Sequence, residues 1–276
     1  MRASIAMQDV REDISDRAGA VLANPRDWAL FLDIDGTLLR MAPTPDAVAV
    51  PPELPPLLAA LAVGLEGALA IVTGRRVAEA DRLLAPVKLV ASGVHGTELR
   101  EDPQGPIRML AEPVPADVIE MMTSVSRIAE GILVEQKGSG AAVHYRNAPA
   151  AQRAIESEVA RIIGLSSYDL VLRRGRKVLE AVPRGFSKGQ ALMDLMRRPP
   201  FKGRRPLMIG DDVGDETALK AADALSGMGL KVAGEHFAPD EADFGGVQEV
   251  RTWLGLLAER LGQKPADNWP ARACGG

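Results

Sequence analysis

WALFLDIDGT, residues 28–37, is a nearly unbroken apolar run that ends in two aspartates, a glycine and a threonine. A strand covered on both faces, as in a parallel sheet, has this composition, whereas a half-solvated strand alternates apolar and polar side chains. Its polar end falls at the carboxyl edge, where open α/β sheets bind ligands. Outward from this run the pattern predicts a helix over 54–62, a strand over 68–72, a helix over 75–84 and a short strand over 89–91. Alternation at this spacing implies a doubly wound parallel sheet with right-handed crossovers. Upstream, residues 10–23 read as a short amphipathic helix.

The rhythm changes near residue 108. Prolines at 103 and 106 and at 113 and 115 bracket a turn-rich boundary. Beyond it the pattern predicts helix 116–130, strands 131–136 and 141–146, helix 149–163, and strands 169–173 and 177–181. The strand pairs are joined by the short Gly-containing turns KGSG and RRGR, which marks hairpins. The parallel pattern then returns with a helix from Lys188, PLMIG as a strand, a helix from Asp215, and KVAG as a strand. The expected architecture is therefore α/β: a doubly wound parallel-sheet core over 1–107 and 183–276, interrupted by an inserted α+β cap domain over 108–182. Residues 262–276 read as a frayed tail.

Composition narrows the function classes. A formal charge of −4 opposes nucleic-acid binding, which needs a basic excess. No apolar run reaches the length of a membrane span, and the charges within residues 1–17 interrupt any signal-peptide core. A single cysteine, Cys274, excludes an intrachain disulfide and suits a reducing cytoplasm.

Four polar clusters sit at predicted element junctions. Asp33 and Asp35 close the first strand. As a plain turn they need no function, yet a carboxylate ionised at neutral pH can attack phosphorus unaided while its neighbour serves as acid and base. Thr73, Gly74 and Arg75 follow the second strand. Thr73 suits a helix cap, and the same capped terminus also makes a phosphate site. Lys188 opens a helix, where the dipole disfavours a cation unless carboxylates face it. Asp211, Asp212, Asp215 and Glu216 follow PLMIG; they suit a helix N-terminus, but they also repeat the pattern of strand and acidic turn on the same sheet edge. Two carboxylates about 4 Å apart repel by roughly 4 kcal/mol at an effective dielectric near 20, a clash that a divalent cation resolves. All-oxygen donors select a hard ion, so magnesium is expected.

In order and placement these clusters resemble the haloacid dehalogenase superfamily. The resemblance implies that Asp33 is the nucleophile and Asp35 the acid/base. It implies that Asp33, the main-chain carbonyl of Asp35, and Asp211 hold Mg2+, that Thr73 and Lys188 hold the phosphoryl group, and that Asp212 and Asp215 orient the metal or Lys188. Within the insertion, EQK (Glu135, Lys137), HYR (Arg146) and KVLE (Glu180), with GVHGTE (His95) and GDDVGDE, look like the trehalose-6-phosphate phosphatases over roughly residues 28–250. That likeness implies a sugar grip by Glu135, Lys137, Arg146 and Glu180, with Gly74, Arg75 and His95 beside the substrate. It also implies a trehalose-6-phosphate synthase as pathway neighbour, with no contact legible. Gly214 departs from the family, which often has Thr there. In a generic hairpin, Glu135, Lys137 and Arg146 would instead form cross-strand ion pairs on a wet sheet face. Another phosphosugar phosphatase or a silent phosphosugar-sensing domain stays open.

Overall fold

The structure, a computed structural model, describes residues 15–42, 47–175 and 177–263. Residues 10–14 of the expected first helix and most of the expected tail, Cys274 included, lie outside them. What is described of that helix is α1 (Asp16–Val21), capped by Ser15, whose Oγ accepts from Ala18 N at 3.2 Å.

Among the described residues the larger sheet has seven strands, whose first residues in spatial order are 228, 205, 28, 69, 90, 98 and 108. Central among its five parallel strands is β1 (Trp28–Leu32), paired with β10 (Arg205–Gly210) from Trp28↔Arg205 to Leu32↔Ile209, and with β2 (Leu69–Val72) from Leu30↔Leu69 to Leu32↔Ile71. β3 (Val90–Gly93) and β11 (Met228–Lys231) add parallel neighbours. Every residue of β1 and β2 is buried, as their unbroken apolar runs require. Because the registers end level, the residues that follow β1, β2 and β10 leave the sheet at one edge. α2 (Leu54–Gly64), which tolerates prolines in its first turn, packs on α8 (Val247–Arg260), and α6 (Lys188–Met196) packs on α7 (Glu216–Ala224). Between β2 and β3 runs α3 (Val77–Leu83).

Two expectations for this sheet need correction. It is not wholly parallel: β4 (Glu98–Arg100) and β5 (Arg108–Met109) extend it antiparallel. Only residues 94–97 separate β3 from β4, far less chain than a parallel crossover needs. Because Arg108 and Met109 pair in this sheet, the expected insertion yields its first two residues to the larger sheet. The strand expected at KVAG lies earlier, at Met228–Lys231. Gly227 and Gly229 break its apolar run, since a Cβ on Gly229 would come within 2.9 Å of the Leu219 backbone in α7.

The smaller sheet is antiparallel in the order β6-β7-β9-β8, from β6 (Leu133–Gln136), β7 (Ala141–His144), β8 (Leu170–Gly175) and β9 (Val178–Pro183). β8 runs to Gly175, so its turn to β9 falls later than RRGR suggested. α4 (Ala116–Ser124) and α5 (Gln152–Leu165) accompany the sheet, and α5 buries Ile155, Val159 and Ile162 on one helical stripe. Among the described residues most buried apolar side chains fall into two clusters, one per sheet.

Candidate active site

β1 delivers Asp33 to the sheet edge, almost wholly buried, and Asp33 N–H donates to Ile209 O at 3.1 Å. Lys188, the first residue of α6, lies opposite. Its Nζ donates to Asp33 Oδ1 at 2.7 Å and to Asp215 Oδ1 at 2.6 Å. Ser187 caps the helix by accepting from Gln190 N at 3.0 Å. Burial alone would lower the Lys188 pKa, but the Asp215 and Asp33 charges raise it instead. Asp33 is pushed well above the usual carboxylate value, first by burial and then by the Asp215 charge, with Lys188 offsetting part.

The loop after β10 closes the cluster. Asp215 Oδ2 accepts from the backbone N–H groups of Asp211 and Asp212, each at 3.1 Å, and Asp212 Oδ1 accepts from Val213 N at 2.8 Å. Thr37 Oγ1 donates to Asp211 Oδ1 at 3.4 Å. The loops after β1 and β10 press together at Gly36, where φ is +87° and a Cβ would lie 2.0 Å from Asp211 Oδ2. Asp33, Asp211 and Asp215 each bring a carboxylate oxygen within 4.8 Å of the others, all three buried. Three carboxylates against one ammonium leave net negative charge out of water, and hard oxygen donors fit a divalent ion of the alkaline-earth kind. Asp215 already binds Lys188 through one oxygen and backbone amides through the other, so it shapes this site more than it ligates.

On the other side of Asp33, the Arg75 fork grips Asp35: Nε donates to Oδ2 at 2.6 Å and Nη2 to Oδ1 at 2.7 Å. Thr73 is buried, and its Oγ1 accepts from Arg75 N at 3.2 Å. The expected capping of the next helix by Thr73 is not what forms. α3 starts two residues later than expected, and the N–H of Val77 is taken by the buried Glu98 carboxylate at 2.7 Å.

The smaller sheet contributes an alternating row of charges. His144 Nε2 lies 2.8 Å from Glu135 Oε2, Lys137 Nζ lies 3.9 Å from the same oxygen, and Lys137 donates to Glu180 Oε1 at 2.9 Å. The row crosses to the larger sheet twice: Lys137 Nζ donates to Gly74 O at 3.2 Å, and Glu180 Oε2 lies 2.5 Å from His95 Nε2. Burial alone would raise the Glu180 pKa, yet His95 and Lys137 hold it well below the ordinary carboxylate value. Val94 and His95 both sit at positive φ, +46° and +54°, uncommon for non-glycine residues and strained for a β-branched one. Arg146 pairs with no carboxylate of this row; its Nη1 donates to Ala42 O.

One cavity of about 480 Å³ gathers Asp33, Asp35, Thr73, Gly74, Arg75, His95, Glu135, Lys137, Arg146, Glu180, Lys188, Asp211 and Asp212. Of the sequence-predicted site residues, only Asp215 is absent from its wall, being fully buried behind. The sequence reading missed Thr37, Glu98 and His144. His144 was legible in principle: antiparallel β6 and β7 pair Leu133 with His144 and Glu135 with Ala142, making Glu135 and His144 diagonal neighbours.

A mostly parallel sheet with an acidic cluster at its carboxyl edge and a covering α+β layer defines the haloacid-dehalogenase-like fold with a cap. Within that class the chain belongs to the trehalose-phosphatase family, which it matches over residues 31–239. It is 38% identical to a probable trehalose-phosphate phosphatase of Sinorhizobium fredii, over 88% of this chain and 91% of the relative. To the trehalose-6-phosphate phosphatase of Escherichia coli it is 35% identical, over 87% and 90%. Among solved structures, the C-terminal domain of C. albicans trehalose-6-phosphate phosphatase shares the fold with a TM-score of 0.74 at 18% identity, over 88% of this chain and 96% of that one. Among the described residues no helix is long and apolar enough to cross a membrane.

Proposed function

We propose that this chain hydrolyses trehalose 6-phosphate to trehalose and phosphate through an aspartyl-phosphate on Asp33. Family membership and the relatives' names support the reaction. The observation that carries the assignment to residues is the meeting, in one cavity, of Asp33 and Lys188, backed by the buried Asp215, with the Glu135–Lys137–Glu180 row. The first is suited to phosphorus, the second to sugar hydroxyls.

In this reading the Asp33 carboxylate attacks phosphorus, the bond to the sugar oxygen breaks, and Asp35 gives that oxygen a proton. Asp35 then takes a proton from water as the water attacks phosphorus, and the acyl phosphate opens to restore Asp33. Lys188 offsets the charge that would keep an anionic nucleophile from an anionic phosphate, with Thr73 beside it. Asp33, the Asp35 main-chain carbonyl and Asp211 would hold Mg2+, which supplies further charge neutralisation at the phosphoryl oxygens. Glu135, Lys137, Arg146 and Glu180 would grip the sugar, with Gly74, Arg75 and His95 beside it. Residues 108–182, less the strand Arg108–Met109, form the cap on this reading, and the cytoplasm is the compartment that the lone Cys274 suits.

The test is inorganic phosphate release from a panel of phosphosugars with Mg2+. Trehalose 6-phosphate should give the highest kcat/KM. A preference for sucrose 6-phosphate or glucose 6-phosphate would move the substrate while leaving the phosphatase chemistry in place, and no release from any of them would point to a sensing domain.

A further inference from the structure

The partner of Arg75 conflicts with turnover. A side-on guanidinium fork takes both oxygens of a carboxylate at once, and Arg75 does this to Asp35 with both bonds at or below 2.7 Å. The fork takes one lone-pair direction on each Asp35 oxygen, so a proton passing through Asp35 must compete with the guanidinium for these oxygens. The pair is not sealed into the core: 12% of the Arg75 side chain and 25% of the Asp35 side chain are exposed, and both line the cavity beside Asp33.

The backbone of Arg75 is fixed while its side chain has somewhere to go. Its N–H donates to Thr73 Oγ1, and its carbonyl accepts from Val94 N at 2.9 Å. A Cβ on Gly93 would lie 2.7 Å from that carbonyl, so the turn holds Arg75 close against β3. Motion of Arg75 is thereby confined to its side chain. The same planar fork that matches a carboxylate matches a phosphate, and Thr73, which anchors Arg75, is on the phosphatase reading a phosphoryl contact. A phosphoryl dianion entering beside Asp33 carries two negative charges against the one of the Asp35 carboxylate.

We propose that Arg75 is a substrate-operated guard on Asp35: an entering phosphomonoester dianion draws the guanidinium off Asp35, and this exchange releases Asp35 for proton transfer. The inference rests on the phosphatase reading above and adds to it a reason for selecting dianionic monoesters. A phosphodiester, with one charge, is a weaker competitor for the fork and leaves Asp35 held.

A double-mutant cycle read by binding tests the exchange. Titration calorimetry with inorganic phosphate is run on the full chain in Mg2+, for wild type, Asp35→Asn, Arg75→Ala and the double variant. Asp35→Asn loosens the competing grip, so it should tighten phosphate binding. In the Arg75→Ala background only the loss of a nearby negative charge remains, and the tightening should be smaller. The difference between backgrounds should be about 2- to 100-fold, the range of coupling for groups in contact. Equal tightening in both backgrounds would overturn the guard. Should Arg75→Ala fail to fold by circular dichroism, Arg75→Lys replaces it; it keeps the charge but loses the fork, and again must show less tightening. Failure of the underlying reading looks different: wild type would neither bind phosphate nor release it from any phosphosugar.

Discussion

Asp33 and Asp35 stand one residue apart, yet β1 turns them toward opposite partners, Lys188 for the first and Arg75 for the second. That division gives the first prediction. Asp33→Asn should abolish phosphate release while the circular dichroism spectrum stays native, because an amide cannot form the acyl phosphate. Asp35→Asn should lose about 10²–10⁴ in kcat, the usual size of a general acid–base contribution, and should still form acid-stable phosphorylated protein with a good leaving group. Equal residual activity in both variants would end this division of labour. Glu180 and Lys137 make a second prediction, on stability. Glu180 is lowered from 4.5 and Lys137 raised from 10.5, in both cases against burial, by each other and by their neighbours. A lowered acid contributes stability above its unfolded pKa and loses it as pH falls through the folded one. A raised base contributes below its unfolded pKa and loses it as pH rises through the folded one. The pair is thus fully stabilising between pH 4.5 and 10.5. Denaturant midpoints of wild type and Glu180→Gln should differ most inside that window and converge on its acid side. A gap that stays constant down to acid unfolding would contradict it.

At the scale of elements, legibility followed burial. β1, β2 and β10 were readable because strands covered on both faces are continuous apolar runs. β4 and β5 were not, since three- and two-residue strands have no period to read and depend on a tight turn at Val94–Gly96. α8 escaped notice although it buries Trp253 and Leu254, because charged residues interleave its apolar stripe. The site was legible where a motif holds it within one turn, and illegible where the partner comes from another strand. Thus Asp211 to Asp215 was read as a unit, while Glu180 to His95 and Glu98 to Val77 N–H were not. The smaller sheet carries its own prediction. Glu135→Ala and Glu180→Ala should cripple hydrolysis of trehalose 6-phosphate and barely change that of p-nitrophenyl phosphate, which offers no sugar hydroxyls to grip. Sites built around hydroxyls reject analogues lacking them by factors of about 10⁴–10⁵, so the ratio of kcat/KM values is the quantity to measure. Equal losses on both substrates would mark the row as structural ion pairing.

For the whole molecule, the acidic edge is a cost until a cation arrives: Asp33 is raised by burial and by Asp215 even with Lys188 in place. Mg2+ should therefore raise the melting temperature as well as activity, and a chelator should reverse both. Asp211→Ala should remove the thermal shift, whereas an unchanged shift in that variant would place the ion elsewhere. The order of strands has a further consequence, in time rather than space. Asp33 and Lys188 are 155 positions apart, Thr37 and Asp211 are 174 apart, and β1 has β10 as one of its two neighbours. On a ribosome the nucleophile emerges early, but one flank of its strand stays an unpaired apolar edge until the smaller sheet and then β10 have been made. No shorter nascent chain holds the lysine and the acidic loop together with Asp33. Catalytic competence must then wait for the pairing of β10 with β1, and the waiting edge of β1 is where a stalled chain would meet a chaperone or another copy of itself.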